Sequence, residues 1–194
     1  MERNIAMDVD QSCKRNVHLI LVQYYCSVEQ IKNLVQDLEE EISFHSKVVI
    51  NNSEEDFDID NVNVAKGTNK LMDMSGYYEG LNYLRKKNKT RENDIYLFAN
   101  DSIYRKHSVY WLAKSAKKLI TSSNLPNGFY AGVPSEIKEK DIFQKYYSTY
   151  FFIVDQISIS IFIKNFKKIF LSNRSAITKL MKILPLENWR PRIS

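Results

Sequence analysis

Blocks of hydrophobic residues alternate with polar segments along the chain, and their spacing predicts strands and helices. Three short, almost continuous apolar runs are typical of strands buried on both faces: 18–25, 47–50 and 95–99. Hydrophobic residues recur at helical spacing over 28–42 and 73–87. Apolar and polar residues alternate over 61–65, which predicts a further short strand, the third in chain order. The first hundred residues therefore predict the order β-α-β-β-α-β, which is typical of a mostly parallel sheet covered by helices.

The second half of the chain is less regular. A further amphipathic helix is predicted over 108–120, and short and long strands are predicted over 129–133 and 146–154. From 157 to 163 the isoleucines alternate as in a strand, whereas the neighbouring phenylalanines have helical spacing. We expect the strand to continue to about Val154 and a helix to follow it.

The length of 194 residues suits one domain with a tail. Residues 1–16 are polar and predict a disordered leader, 17–170 form the expected domain, and 171–194 predict a basic helical tail. The tail either packs on the core or contacts an anionic membrane. No apolar run reaches the length of a membrane span, and the leader lacks a signal-peptide core. We therefore expect a cytoplasmic protein, with association at the inner face of the plasma membrane as an option.

The net charge of +5 conceals an asymmetry between the two halves. Residues 1–101 carry a balance of −6, and residues 102–194 carry +11. A basic half suits anionic partners such as nucleotide phosphates, nucleic acid or a membrane surface. Most aromatic residues lie in apolar runs, which argues against nucleic acid. Cys13 and Cys26 have no partnering Cys or His motif, so neither a disulfide nor a zinc site is expected.

Polar residues follow the three predicted buried strands at the points where these strands end. The segments are Gln23–Tyr25, Asn51–Ser53 and Asn100–Ser102. In a parallel sheet such ends meet at one edge, where open α/β sheets bind their ligands. The Asp101 carboxylate is suited to hold a divalent cation and, through it, a phosphate. The alternative is an ordinary turn or helix cap at the end of the strand.

Several common site motifs are absent from the sequence. It has no Gly-x-Gly-x-x-Gly, no Walker loop, no Gly-x-Ser-x-Gly and no metal-ligand spacing of histidines, which excludes the site classes that depend on them. Gly76 and Gly80 lie within the second predicted helix. They indicate either close helix–sheet packing or close approach to a ligand.

The order of these segments resembles the family-2-like glycosyltransferases with the GT-A fold. Val49–Ser53 matches the family's nucleoside-contacting turn, and Leu97–Ser102 matches its metal motif of the Asp-x-Asp type. Lys66 to Asn69, followed by Gly76 and Gly80, is similar to its Asn/Gly-rich loop and helix over the donor. The resemblance implies a Rossmann-like nucleotide-binding half.

The resemblance also implies site residues. Asp101 and Ser102 are expected to hold Mn²⁺ or Mg²⁺. The following residues are expected to bind the donor: Gln23, Tyr25, Asn51, Asn52, Ser53, Lys66, Asn69, Gly76 and Asn100.

In the second half, Tyr147–Ile153 followed by Phe162 and Phe166 looks like the rhamnan-synthesis branch of that family. This implies transfer of a sugar from a nucleotide-sugar donor to a saccharide or lipid-linked saccharide acceptor of a cell-surface polysaccharide such as O-antigen, capsule or rhamnan. The acidic residues available there as the base are Glu136, Glu139, Asp141 and Asp155, and we take Asp155 as the candidate. The alternative is a non-catalytic GT-A-like nucleotide-binding or scaffold protein.

Overall fold

The structure, a computed structural model, describes residues 15–70, 73–87, 90–106, 108–122, 125–139 and 142–170. Side chains are described for most of these residues, except chiefly those of 134–147 and 165–170. The predicted tail and all but the last two residues of the predicted leader lie outside this part of the chain.

Six strands form one sheet. They are β1 (Val17–Gln23), β2 (Ser46–Asn51), β3 (Asn63–Lys66), β4 (Ile95–Asn100), β5 (Tyr130–Glu139) and β6 (Ile142–Asp155). Their order across the sheet is β3-β2-β1-β4-β6-β5. The first four are parallel, β6 runs antiparallel to β4, and β5 pairs antiparallel with β6. The predicted fold class, a mostly parallel α/β sheet, is confirmed.

Five helices accompany the sheet in the described residues. They are α1 (Val28–Glu39), α2 (Asp73–Lys86), α3 (Ile103–Lys106), α4 (Val109–Ile120) and α5 (Gln156–Phe170). Helix α1 begins with a capping box, because the side chains of Ser27 and Gln30 each accept a hydrogen bond from the other residue's backbone N–H. Helix α5 resolves the ambiguous isoleucine segment in favour of a helix, as expected. No described helix combines the length and the apolarity needed to cross a bilayer.

The central strands carry hydrophobic residues on both faces, so the sheet has a core on each side. On β1, Leu19 and Leu21 pack with α1 and α4, whereas Ile20 and Val22 pack with α2 and α5, and all four are fully buried. The alternation follows from the two-residue period of a strand. Helices on both faces, predicted from the continuous apolar runs, are confirmed.

Helix α2 lies very close to β1 because it carries glycine at the contact. A Cβ at Gly76 would lie 2.7 Å from both methyl groups of Val22, and one at Gly80 would meet the Ile20 side chain. This supports the packing alternative for both glycines, and a donor contact at Gly76 stays a prediction. The close packing brings Asp73, the first residue of α2, over the end of the sheet.

The ends of the parallel strands meet at one edge of the sheet. Gln23 lies beside Asn51, Val22 beside Asn100, and Asn51 beside Lys66. We call this the carboxyl edge and the opposite side the amino edge. The predicted convergence of the three polar strand ends is therefore present in the fold.

Candidate functional site

Asp101 is the structural centre of the carboxyl edge. Its Oδ2 accepts hydrogen bonds from the backbone N–H groups of Tyr24 at 2.8 Å, Tyr25 at 2.6 Å and Cys26 at 2.9 Å. The residue is only 1% exposed. One carboxylate oxygen therefore ties the turn after β1 to the end of β4. The second oxygen, Oδ1, is buried and has no hydrogen-bond partner.

Asp101 Oδ1 belongs to a group of buried polar atoms without partners. Within the described residues the others are Gln23 Oε1, the Tyr24 hydroxyl, and Oδ1 and Nδ2 of Asn52. Folded proteins bond nearly all buried polar groups, and an unsatisfied one costs about 1–3 kcal/mol. All five atoms belong to residues that end or directly follow β1, β2 and β4. Such a cluster is suited to a polar ligand or ordered water.

Asp73 joins this group and was not identified from the sequence. Its Oδ2 accepts from Asn100 Nδ2 at 2.7 Å and from Thr149 Oγ1 at 3.2 Å. Burial raises the pKa of the Asp73 carboxyl, and the nearby Asp101 carboxylate raises it further. An acidic residue in the first turn of a helix is common, so no local signal marks this one as facing the site.

The Tyr24 phenol lies at the centre of the polar atoms. It is near enough to Asp73, Asp101 and Asn52 to feel their charges and dipoles, although no hydrogen bond of acceptable geometry reaches its hydroxyl. Burial raises the pKa of Tyr24 far above its usual value, and the carboxylates of Asp73 and Asp101 add to that shift. The phenol therefore stays protonated at neutral pH and can donate a hydrogen bond.

Two asparagines shape the edge through turns. Asn51 Oδ1 accepts from the Ser53 backbone N–H at 2.8 Å and the Ser53 hydroxyl at 2.7 Å, and its Nδ2 donates to Glu55 O at 2.6 Å. Asn100 likewise accepts from the Ser102 N–H at 3.0 Å while donating to Asp73. The predicted donor contacts of Asn51, Asn100 and Ser53 would compete with these internal bonds.

Asn52 differs from its neighbour Asn51. Its backbone N–H donates to Gln23 O at 3.0 Å, while its side chain lies near the Tyr24 hydroxyl and forms no hydrogen bond of good geometry. Gly67 lies directly against this side chain, since a Cβ there would overlap Asn52 Oδ1. Among the residues expected to contact a nucleoside, Asn52 has the uncommitted donor and acceptor.

The remaining predicted donor ligands lie at the periphery. Lys66 Nζ bonds Asp56 Oδ1 at 2.9 Å and Glu54 O at 3.3 Å, so its charge is paired with the acidic loop after β2. Asn69 is exposed and has a left-handed backbone, with φ of 49°. Tyr25 is 74% exposed. The structure does not bring these three side chains into the buried polar group.

A small cavity of about 160 Å³ opens beside Asp101. Tyr25, Cys26, Asp101, Ser102 and Arg105 line it. Burial raises the pKa of the Cys26 thiol, which keeps it protonated and a poor nucleophile. The polar chemistry of the cavity therefore comes from the Asp101 carboxylate, the Ser102 hydroxyl and the Arg105 guanidinium.

A divalent cation fits this edge only with help from a substrate. The described residues contain no group of three or more His, Cys, Asp or Glu side chains that could hold a metal ion. Asp101 Oδ1 nevertheless offers one buried carboxylate oxygen without a partner. Mg²⁺ is often held by one or two carboxylates together with substrate phosphates and water. Binding of Mn²⁺ or Mg²⁺ at Asp101 and Ser102 stays a prediction.

Asp155, the candidate base, lies at the other end of the sheet. It pairs with Ile95 at the start of β4, six residues before Asp101. At about 3.3 Å per residue this separates it from the site by about 20 Å. Its carboxylate accepts from Gly128 N–H and Ser158 N–H and caps α5. The structure therefore does not bring Asp155 to the carboxyl edge, because β6 runs antiparallel to β4.

The chain resembles a solved structure, described as the crystal structure of 4-diphosphocytidyl-2C-methyl-D-erythritol synthase. The match covers 86% of this chain and 85% of that chain, with a TM-score of 0.53 and 15% sequence identity. At this identity the likeness establishes a shared fold. No protein-family model and no curated protein matches the sequence. The described chain is thus a Rossmann-like α/β protein, and the glycosyltransferase resemblance stays a prediction.

Proposed function

We propose that the chain binds a nucleotide-sugar donor at the carboxyl edge and transfers its sugar to a saccharide or lipid-linked saccharide acceptor of a cell-surface polysaccharide. The observation that carries this proposal is the cluster of five unpartnered buried polar atoms at the ends of β1, β2 and β4. A ligand that satisfies them recovers the cost of leaving each one unpaired.

The chemistry of the cluster divides into two parts. Gln23, Tyr24 and Asn52 offer uncharged donors and acceptors, which suit the edges of a nucleobase or the hydroxyls of a ribose. Asp101 Oδ1 is the candidate ligand for Mn²⁺ or Mg²⁺ on the diphosphate, with Ser102 beside it. When bound, that cation would neutralise charge on the departing nucleoside diphosphate. Arg105 would add positive charge at the same cavity.

The similar solved structure supports a nucleotide ligand. Its name describes a diphosphocytidyl product, so a diphosphate joined to a nucleoside is part of that protein's chemistry. We infer a related ligand for this chain because the shared fold places its unpartnered polar atoms at the edge where such sheets bind ligands.

Asp73 replaces Asp155 as the candidate for activating an acceptor hydroxyl. It is a half-buried carboxylate near Asp101, and burial raises its pKa toward the range useful for proton transfer. Its hydrogen bonds from Asn100 and Thr149 fix its orientation.

A second candidate function is nucleotide binding without transfer, in a scaffold of polysaccharide assembly. The observation in its favour is that both carboxylates already have internal bonds: Asp101 Oδ2 holds the turn after β1, and Asp73 Oδ2 bonds Asn100 and Thr149. The two functions differ in turnover, not in nucleotide binding.

Calorimetric titration of the full chain with UDP, CDP, GDP, ADP and dTDP in the presence of Mn²⁺ tests the proposal. We expect at least one to bind with a dissociation constant between about 1 µM and 1 mM, the range of enzyme substrates. Asn52→Ala and Asp101→Asn should each weaken that binding by about tenfold or more, because each removes a group meant for the ligand. Two results would contradict the proposal: that none of the five nucleotides binds, or that both variants bind the nucleotide as tightly as the parent protein does.

Donor turnover separates transferase from scaffold. The corresponding labelled nucleotide sugar should be hydrolysed slowly, and faster with a saccharide acceptor, and Asp73→Asn should stop turnover while binding persists. Asp155→Asn is the matched control, because an amide oxygen can still cap α5 and the residue lies at the amino edge. Donor binding without any turnover would favour the scaffold.

A further inference from the structure

A group of exposed aromatic and basic residues lies on the short helix α3 and the outer side of α4. Tyr104, Tyr110 and Trp111 are 37%, 45% and 62% exposed. Arg105, Lys114 and Lys118 are exposed among them. We call these six residues the α3–α4 face.

The aromatic and basic side chains of this face are organised together. Lys114 Nζ lies 5.3 Å from the ring centre of Tyr110 and 5.4 Å from that of Trp111, and it donates to the Tyr110 hydroxyl at 3.2 Å. The two rings contact each other edge-on, with centres 5.3 Å apart. Trp111, Lys114 and Lys118 follow one another at helical spacing, so they form a stripe along α4.

The charge on this segment has one sign. Residues 102–135 contain five Lys and Arg residues and no Asp or Glu. Lys117, on the side of α4 nearest α1, is paired with Glu41 at 3.0 Å. Among the described residues, Arg105, Lys114 and Lys118 form no ion pair. The face therefore presents positive charge without local compensation.

We propose that the α3–α4 face docks on the surface of an anionic lipid bilayer. Tyr and Trp are favoured at the headgroup level of bilayers, where an apolar ring and a polar group are both satisfied. Each Lys or Arg near an anionic leaflet adds about 1 kcal/mol of attraction. The face has both elements side by side, and the proposal does not rest on the proposed function.

Other occupants fit these observations less well. A stacked sugar or nucleobase needs a bare ring face, whereas Lys114 lies over the rings of both Tyr110 and Trp111. A symmetric dimer would place this face against its own copy and so bring like charges together. An anionic bilayer needs neither a bare ring nor an opposite charge on this chain.

Docking at the α3–α4 face would bring the bilayer close to the carboxyl edge of the sheet. Arg105 lines the cavity beside Asp101, and α4 begins eight residues after Asp101, so the face adjoins the carboxyl edge. Tyr25, which is 74% exposed, lines the same cavity. A bilayer on this face would lie next to the opening of the polar site.

Trp111 fluorescence in the full chain provides the test. The chain has two tryptophans, and Trp189→Phe leaves Trp111 as the only emitter. On vesicles of phosphatidylcholine with about 30 mol% phosphatidylglycerol, the emission should shift to the blue and be quenched by dibrominated lipid. Vesicles without anionic lipid should give little shift, and about 0.5 M NaCl should release the protein.

Charge reversal localises the contact. Lys114→Glu with Lys118→Glu should weaken vesicle partitioning by at least about tenfold. Lys86→Glu with Lys87→Glu is the matched control: it makes the same charge change on exposed lysines of the other sheet face, and Lys87 also lies over a ring, that of Tyr83. Circular dichroism should be unchanged in both variants because the four lysines are exposed.

Three results would overturn the proposal. Vesicle binding with unshifted, unquenched Trp111 would place the contact elsewhere, for example on the basic segment 171–194. Equal loss in both charge-reversal variants would indicate a general charge effect. Binding of a single-stranded oligonucleotide that depends on Lys114 and Lys118, without vesicle binding, would assign the face to nucleic acid.

Discussion

Buried polar residues lie at both ends of the sheet, and the two ends differ in how completely protein groups satisfy their hydrogen bonds. At the amino edge, His18 bonds Ser46 Oγ at 2.6 Å and Asp94 Oδ2 at 2.9 Å, and Asp94 also accepts from the Arg91 N–H. At the carboxyl edge, polar atoms at similar depth have no partner, those of Asn52 among them. Protein groups satisfy the amino edge, whereas the carboxyl edge leaves buried polar atoms available to a ligand or ordered water. The comparison identifies the carboxyl edge as the candidate site.

The amino edge also contains a side-chain network whose residue types match those of a catalytic triad. Ser46, His18 and Asp94 form the Ser-His-Asp arrangement of many hydrolases, and His18 stacks on Tyr96 with ring centres 5.2 Å apart. The His18 side chain is 0% exposed and Asp94 is 1% exposed. A substrate cannot reach a nucleophile enclosed in this way, so the network is structural.

The largest effect is expected from breaking the amino-edge network. Asp94→Ala leaves His18 and the Arg91 N–H without their buried acceptor, so the free energy of unfolding should fall by about 3–5 kcal/mol. Urea unfolding at neutral pH measures it. Nucleotide binding per folded molecule should not change. A loss below about 1 kcal/mol would mean that the two edges do not differ as described.

The Asp101 carboxylate has one oxygen with protein partners, Oδ2, and one without, Oδ1. Two substitutions at this position measure how much the bonds to Oδ2 contribute to stability. Asp101→Ala removes the acceptor of three backbone N–H groups and should cost about 3 kcal/mol. Asp101→Asn keeps an oxygen for those groups and should cost about 1 kcal/mol. Urea unfolding gives both values. Equal losses would show that the bonds to Oδ2 contribute little to stability.

The neighbours Asn51 and Asn52 offer the same comparison within one turn. Asn51→Ala removes three hydrogen bonds and should lower the unfolding free energy by about 1–3 kcal/mol. Asn52→Ala removes two buried atoms that form no hydrogen bond of good geometry, so stability should change by less than about 0.5 kcal/mol or rise. Thermal unfolding of the two variants measures the difference. A larger loss for Asn52 would indicate a partner within the protein.

Local sequence patterns predicted the elements whose signals are short-range. The apolar run 18–25 predicted β1, and the helical spacing of hydrophobic residues over 28–42 predicted α1. The hairpin of β5 and β6 was predicted much too short, as 129–133 and 146–154, because the residues around its turn are mostly polar and charged and do not alternate. Strands β5 and β6 extend beyond the predicted ranges because they pair with each other, although this part of the sequence has no alternating apolar pattern.

The candidate site is built largely by tertiary contacts, which local sequence patterns do not predict. The polar strand ends were predicted to converge, and they do, because parallel strands end at one edge. That Asp101 reaches back 75 residues to the Cys26 N–H, and that Asp73 meets Asn100, are tertiary contacts. The distance of Asp155 from Asp101 is likewise a tertiary relation, since only the antiparallel direction of β6 places Asp155 at the amino edge.

A modest effect of the opposite sign is expected at Asp73. Burial raises the pKa of this carboxyl in the folded protein above its ordinary value of 3.8. The folded state therefore binds the proton more tightly than the unfolded state, so stability falls as pH rises from about 4 through the raised pKa. Asp73→Asn removes this loss while its amide oxygen can still accept from Asn100 and Thr149.

The variant should therefore be more stable than the parent at neutral pH, by about 0.5–2 kcal/mol, the gain that single stabilising substitutions commonly give. Urea unfolding at a series of pH values from about 4 to 8 measures the difference between the two proteins, which cancels the titration of other groups. The difference should shrink toward the acidic end, where Asp73 is protonated in both states. A variant less stable at neutral pH would mean that the Asp73 charge is satisfied within the protein. In that case the carboxyl edge would resemble the amino edge more than its unpartnered atoms suggest.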